Sequence, residues 1–352
     1  MIEYEIHAGI GHKSPYMEAL KLCLKEYGIE VKYMPYLPSK KPENKERIIH
    51  IHRIGRLYAS DDMNSLNKLL DQIDELKKMG WFFVWTIHNI FPINSLMTDV
   101  DFRAVSEIGK RMDLVFCHTE IMRCNIQKEF GISAINHGYG ADYHLGNSEK
   151  SDMKQSWKKK RFSFGFIGNI REYKGILELL EAYDKLLSEG HECDMIIAGS
   201  PYSTYLEENP RIVELIKKNN VTLYDKYVYK EDWDYLLQNV DVLAFPYKID
   251  MLIFKYGFYA SSIAQATYMK KVIICPKDDN LKDIIGTLDY SFSYDYYKDN
   301  GLYDCMVECM DTDVKIRKEM EDSACNMVSQ KTWKNLVNKI IDCYVAKGII
   351  RK

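Results

Sequence analysis

No apolar run in the 352-residue chain approaches the roughly eighteen residues that a membrane-spanning helix requires. The opening "MIEYEIHAGIGHK" has no basic stretch leading into an apolar one, so it does not read as a secretory signal. Cysteine is present without organisation. The nine cysteines form neither a Cys-x-x-Cys pair nor a zinc-type Cys/His array, which excludes a disulfide framework and points to free thiols in a reducing compartment. An excess of one charge is also missing. The formal charge of −3 argues against a globally basic nucleic-acid binder, and no short internal repeat is visible. The expectation is a cytoplasmic protein that does not cross a membrane and has no nucleic-acid partner.

What is present is alternation. With 46% apolar residues, a chain of this length can bury two cores, so two domains are expected. In the first half, "YEIHA", "VKYMPY", "RIIHIHR", "FFVWTI", "DLVFC" and "SAIN" read as strands separated by helical spacing such as "MNSLNKLLDQIDELKKMG". The segment 147–161, "NSEKSDMKQSWKKKR", is polar and aperiodic and reads as a linker. A second series follows: "RFSFGFIGN", "CDMIIAGS", "NVTLYD", "DVLAFPY" and "KKVIICP" as strands, helices between them, and two helical stretches closing the chain. Strand–helix alternation predicts parallel sheets covered on both faces, a doubly wound α/β architecture. Its ligands bind beyond the carboxyl ends of the strands.

That edge is where polar residues collect. "WFFVWTIHNIFP" delivers His88 and Asn89 directly off a buried strand. His88 has a pKa range suited to hydrogen bonding or general base work, although a histidine satisfied by its neighbours would also stand there. His50 and His52 alternate on one strand and share a face, and with Arg53 they are placed to line a cleft. His118 follows "DLVFC", and His137 with Gly138 precedes the linker. No spacing among these histidines marks a metal site, so none is expected. Gly9 and Gly11 in "HAGIGHK" admit either a close-lying acceptor or a plain turn. In the second half, Gly168 ends a strand, and Asn169, Arg171 and Lys174 lead into a helix near Lys174 or Gly175. Free N–H groups, the helix dipole and two cations would meet a diphosphate there, while a capped surface helix explains the same letters. Ser261 and Ser262 open another helix, as caps or as phosphate contacts.

In order and spacing, "GNIREYKGILELLEAY", "MIIAGSP", "DVLAFPY", "ASSIAQATYMKKVIICP" and "TWKNLVNKIIDCY" resemble the GT-B glycosyltransferases, specifically glycosyltransferase family 4 (group 1) and its bacterial exopolysaccharide and capsule relatives. "IIHIHR", "VWTIHNIFP" and "INHGYGADYH" are similar to a subgroup whose strands end on histidine. The resemblance implies two Rossmann-like domains facing each other across a cleft. Residues 1–150 would form an acceptor-binding domain, 151–329 a nucleotide-sugar domain, and 330–352 a helix crossing back to the first. It also implies Gly168, Asn169, Arg171, Lys174, Gly199, Tyr247, Tyr256, Ser261 and Ser262 on the donor side. His88 and Asn89 would stand at the reacting sugar, and Gly9, Gly11, His52, Arg53, His118, His137 and Gly138 on the acceptor side. The two glutamates that the family commonly spaces eight apart align with Tyr256 and Ala264.

The implied activity is metal-independent, cofactor-free transfer of a sugar from a nucleotide-diphosphate donor to a glycan or lipid-linked acceptor in surface polysaccharide synthesis. Peripheral contact with the inner face of a membrane, through runs such as "KKKR" and "PSKKPENKER", would accompany a lipid acceptor. A sugar-nucleotide epimerase of the same fold and a catalytically silent binding subunit are the alternatives.

Overall fold

The computed structural model describes residues 4–10, 14–43, 46–91, 97–142, 157 and 159–350. The linker 147–156 and Gly11 lie outside them. Two compact units divide the chain: unit 1 is Met1–Gly146 with Leu252–Tyr259 and Lys331–Lys352, and unit 2 is Asn147–Met251 with Ala260–Gln330. The boundaries expected from sequence do not foresee that Leu252–Tyr259 belongs with unit 1. An antiparallel bridge from Asn89 to Phe258 ties that segment in, and Tyr256 packs 5.4 Å from Phe91.

Unit 1 holds six strands: β1 (Tyr4–Ala8), β2 (Glu30–Met34), β3 (Glu46–Ile51), β4 (Phe82–Ile87), β5 (Leu114–Cys117) and β6 (Ile135–Asn136). All pairs are parallel, in the order β2-β1-β3-β4-β5-β6. The central strands are buried on both sides because both faces are covered, with Glu5, His7, His50 and Thr86 as the buried polar exceptions. Along β4, Phe83, Trp85 and Ile87 enter one core and Val84 the other. The helices Met63–Lys78 and Asp99–Arg111 bury leucines and isoleucines against the first face. The helix Pro15–Lys25 and the closing helix Trp333–Ala346 cover the second. Trp333, Leu336, Val337, Ile340, Ile341 and Tyr344 form the buried stripe of that last helix, so it packs on the N-terminal sheet as the resemblance implied. The "DVD" at 99–101 serves a helix start: Thr98 and Asp101 form a reciprocal capping box.

Unit 2 holds β7 (Phe162–Ile167), β8 (Cys193–Ala198), β9 (Thr222–Tyr224), β10 (Val242–Ala244), β11 (Ile273–Pro276) and β12 (Phe292–Tyr294). They are also parallel, in the order β12-β11-β10-β7-β8-β9. Three helices, Gly301–Asp311, Val314–Val328 and Trp333–Ala346, follow β12, where the sequence reading had two. Strand order reverses direction between β1 and β3 in unit 1 and between β7 and β10 in unit 2. In such sheets the crevice at this switch point, beyond the strand ends, is the ligand position.

Candidate functional site

At the unit 2 switch point, β7 runs into Gly168. Gly199, from the end of β8, approaches so closely that a side-chain carbon on it would fall 1.8 Å from the Gly168 carbonyl oxygen. Ser262 Oγ lies on the other side of Gly168, so Gly168, Gly199 and Ser262 come together, with Asn169 exposed beside them. Ala260 occupies the cap of the helix Ser261–Tyr268, which leaves the two serines as its first helical residues rather than its caps.

The chain then makes a short 3-10 turn, Glu172–Lys174, and Gly175 turns it into the helix Ile176–Ser188 at a φ of 71°. Gly175 is pressed against the Pro246 carbonyl, where a side-chain carbon would lie 1.8 Å from the oxygen. That contact brings the turn against the exit of β10 and places Lys174 on Tyr247. The Lys174 ammonium donates to the Tyr247 hydroxyl, and it sits 4.0 Å from the Tyr247 ring centre and 5.0 Å from that of Tyr173. The Arg171 guanidinium stacks 4.1 Å over Tyr202. No carboxylate among the described residues pairs with either cation; nearby Glu172 and Glu178 are drawn to Lys248 instead. Burial, and then the Arg171 charge, pull the Lys174 ammonium down to about 7. Tyr256, expected on the donor side, lies in the apolar core of unit 1, and Ala264 is buried within the helix Ser261–Tyr268. The described members of "KKKR" include Lys159, paired with Asp241 at 2.6 Å, and Arg161, 3.8 Å from Glu192.

In unit 1 the strand ends carry a column of histidines. His118 Nδ1 lies 2.9 Å from the Gly138 carbonyl, His118 Nε2 lies 2.9 Å from His88 Nδ1, and His88 Nε2 lies 3.0 Å from His52 Nδ1. A carbonyl only accepts, so in neutral rings each Nδ1 carries the proton and the donors run from His52 through His88 and His118 to Gly138. His52 Nε2 is left with a buried lone pair and no partner among the described residues. Both nitrogens of His88 are therefore engaged, although the side chain is half-buried. Burial holds His52 and His88 well below the ordinary histidine range. Burial likewise lowers His118 to about 4, with the Gly138 carbonyl opposing it.

Deeper in the same sheet, Glu5 Oε1 accepts from His7 Nε2 at 2.8 Å and from His50 Nδ1 at 2.7 Å. Burial would raise the Glu5 carboxyl, but His7 and His50 together outweigh it and hold it at about 2. His50 Nε2 meets the Thr86 hydroxyl at 2.7 Å, while His7 Nδ1 and Tyr16 Oη have no partner among the described residues. An unsatisfied buried polar atom costs about 1–3 kcal/mol, so this cluster is organised around something other than packing. Gly9 is buried against the Arg53 backbone and reads as a turn; Arg53 itself is exposed. Sequence reasoning missed Glu5 and His7, although "YEIHA" places them two apart on one strand face. It also missed Tyr16, whose ring stands edge-on to His88 at 4.6 Å, and Tyr173 and Tyr202, which flank the cations.

Residues 147–300 match the family described as glycosyl transferases group 1, so the resemblance read from the motifs holds, and the two parallel six-stranded sheets are those of the GT-B fold. Among curated proteins, a capsular polysaccharide biosynthesis glycosyltransferase, CapM of Staphylococcus aureus, is 23% identical over 162 residues. That stretch covers 42% of this chain and only 39% of the relative. Among solved structures, a sucrose-phosphate synthase from Thermosynechococcus elongatus aligns over 98% of both chains with a TM-score of 0.70 at 11% identity. Anabaena Alr3699/HepE, solved with UDP, aligns over 98% of this chain and 100% of its own with a TM-score of 0.67 at 12% identity. Among the described residues, no helix is long and apolar enough to cross a membrane.

Proposed function

We propose that the protein transfers a sugar from a nucleotide-diphosphate sugar to a glycan or lipid-linked acceptor in the assembly of a surface polysaccharide. The observation that carries this reading is Lys174, a cation buried at the unit 2 switch point without a carboxylate partner among the described residues. Arg171, equally without a carboxylate, follows the same strand end. A buried and a half-buried cation with no carboxylate partner among the described residues favour an anionic ligand, and the helix starts at Ile176 and Ser261 add donors of the same sign. The named role of the S. aureus relative and the UDP held by the Anabaena structure are consistent with it.

In this reading the bond from the anomeric carbon to the diphosphate oxygen breaks as the acceptor oxygen bonds to that carbon. The electron pair leaves with the diphosphate. Charge on the phosphates grows as this happens, so Lys174 and Arg171 stabilise the transition state more than the bound donor, and they take the part a divalent ion plays in other transferases. The acceptor proton passes to His88 Nε2, which gives up its bond from His52, while the His88 Nδ1 proton moves to His118 Nε2. The new His118 imidazolium, disfavoured by burial and supported by the Gly138 carbonyl, is transient, and its proton returns through His88 to solvent as the products leave. A lipid-linked acceptor would bring the protein to the cytoplasmic face of a membrane as a peripheral visitor. The test is a panel of nucleotide sugars assayed for nucleotide release with and without a glycan-lipid acceptor. Release that depends on acceptor supports transfer, and an epimerised or hydrolysed donor without acceptor rejects it.

A further inference from the structure

The histidines of unit 1 at its switch point hold more than the transfer reaction uses. His7 and His50 are register partners on β1 and β3, and His52 follows on the same face, its ring stacked 4.2 Å from that of His50 and 4.8 Å from that of His7. All three are buried. We propose that His7, His50 and His52 form a binding site for a transition-metal ion of the zinc class. This site is separate from the donor site in unit 2, and it touches the proposed proton path only through the bond from His52 to His88.

Three features carry the assignment. The first is convergence: one candidate ligand atom from each histidine lies within 4.8 Å of the others. Zinc–nitrogen bonds of about 2.0–2.1 Å in a tetrahedron hold nitrogens roughly 3.4 Å apart, so the ion must draw the ligand atoms in from a spread of up to 4.8 Å. The second is the outer layer. A metal-bound imidazole characteristically gives its other N–H to an acceptor, which fixes its tautomer and orientation. Here His7 Nε2 and His50 Nδ1 both face Glu5 Oε1, and His52 Nδ1 faces His88 Nε2, itself backed by His118. Each ring is thus held by one nitrogen and offers the other.

The third feature is what those other nitrogens do. His7 Nδ1 and His52 Nε2 have no partner among the described residues, and His50 Nε2 meets only the Thr86 hydroxyl. The buried Glu5 carboxylate supplies the negative charge that a dication in such a place requires. Thr86 is the competitor: its hydroxyl holds the third lone pair, and the ion must displace it.

Full-length protein, stripped with a chelator and dialysed, would be titrated with Co2+ while its visible d–d absorption is read, then back-titrated with Zn2+. The expected result is one Co2+ per chain in a low-symmetry nitrogen environment, displaced by one equivalent of Zn2+. His7→Gln and His52→Gln should each weaken binding by at least a hundredfold. Thr86→Val, which frees His50 Nε2 without changing side-chain shape, should tighten it about fivefold, the worth of one neutral hydrogen bond. No Co2+ band in the wild-type protein overturns the proposal, as does unchanged affinity in the folded histidine variants, since surface histidines would then hold the ion. Should circular dichroism show those variants unfolded, Thr86→Val decides: unchanged or weaker binding rejects the site.

Discussion

Replacing Lys174 by methionine sets stability against function, because a buried cation without a counter-charge harms the fold that it equips. The folded chain holds the Lys174 proton only up to about pH 7, against an ordinary 10.5. The unfolded chain therefore binds more protons between those values, and wild-type stability climbs with pH across that window. Below pH 7 the strain is fully present, about 5 kcal/mol as an upper limit. Lys174→Met removes it and loses the hydrogen bond to Tyr247 and the attraction of the Tyr247 and Tyr173 rings, which offset it only in part. Thermal melts without ligand should show the variant more stable than wild type at pH 6, by several degrees, with the gap closing by pH 10. Donor binding should move the other way. Loss of one partner of a desolvated charge pair costs about 2–5 kcal/mol, so nucleotide-sugar affinity by calorimetry should fall at least thirtyfold. Wild-type affinity should also weaken above pH 7, by up to about tenfold per unit, because the ammonium must regain its proton to meet the diphosphate; the variant should show no such slope. A variant that binds donor as wild type does, or that melts lower at pH 6, refutes the reasoning.

Arg171→Ala should slow transfer by about two orders of magnitude through lost stabilisation of the leaving diphosphate, whereas exposed Lys217→Ala should leave steady-state rates unchanged. His88→Ala should abolish transfer while donor affinity measured by calorimetry stays near wild type, since His88 and the cations belong to different units; near-normal turnover would remove His88 from the chemistry. Transfer should need no added Mg2+ or Mn2+, and activity lost to EDTA and restored by either ion would place a cation on the diphosphate. Truncation before Lys331 should give insoluble or inactive protein, because it strips six buried side chains from one face of the unit 1 sheet, each worth about 1.5–3 kcal/mol.

The architecture was legible because strands buried on both faces spell nearly continuous apolar runs, and "FFVWTI" and "CDMIIA" are such runs, each broken by a single polar residue. The missed pieces lack that signal. β12 is three residues in a stretch rich in Tyr, Ser and Asp, and the join of Leu252–Tyr259 to unit 1 is made by contacts distant in sequence, such as Tyr256 on Phe91. The site was legible as separate letters at strand ends: His52, His88, His118 and His137 were all named. Their hydrogen-bonded order depends on strand register, which a single sequence does not state, and the same register brings Glu5 and His7 beside His50. Arg171 and Lys174 were readable as cations before a helix. The burial of Lys174 against Tyr247 was not, because it follows from Gly175 seating on Pro246.

The central claim is that Lys174 and Arg171 hold a diphosphate during sugar transfer. Its most direct test is mass spectrometry of a glycan-lipid acceptor incubated with the nucleotide-sugar panel and either the wild-type protein or the Arg171→Ala, Lys174→Met double variant. The account predicts an acceptor heavier by one sugar with the wild type and one donor, and no such product with the folded double variant. Equal product from both proteins, or none from the wild type with any donor, would contradict it.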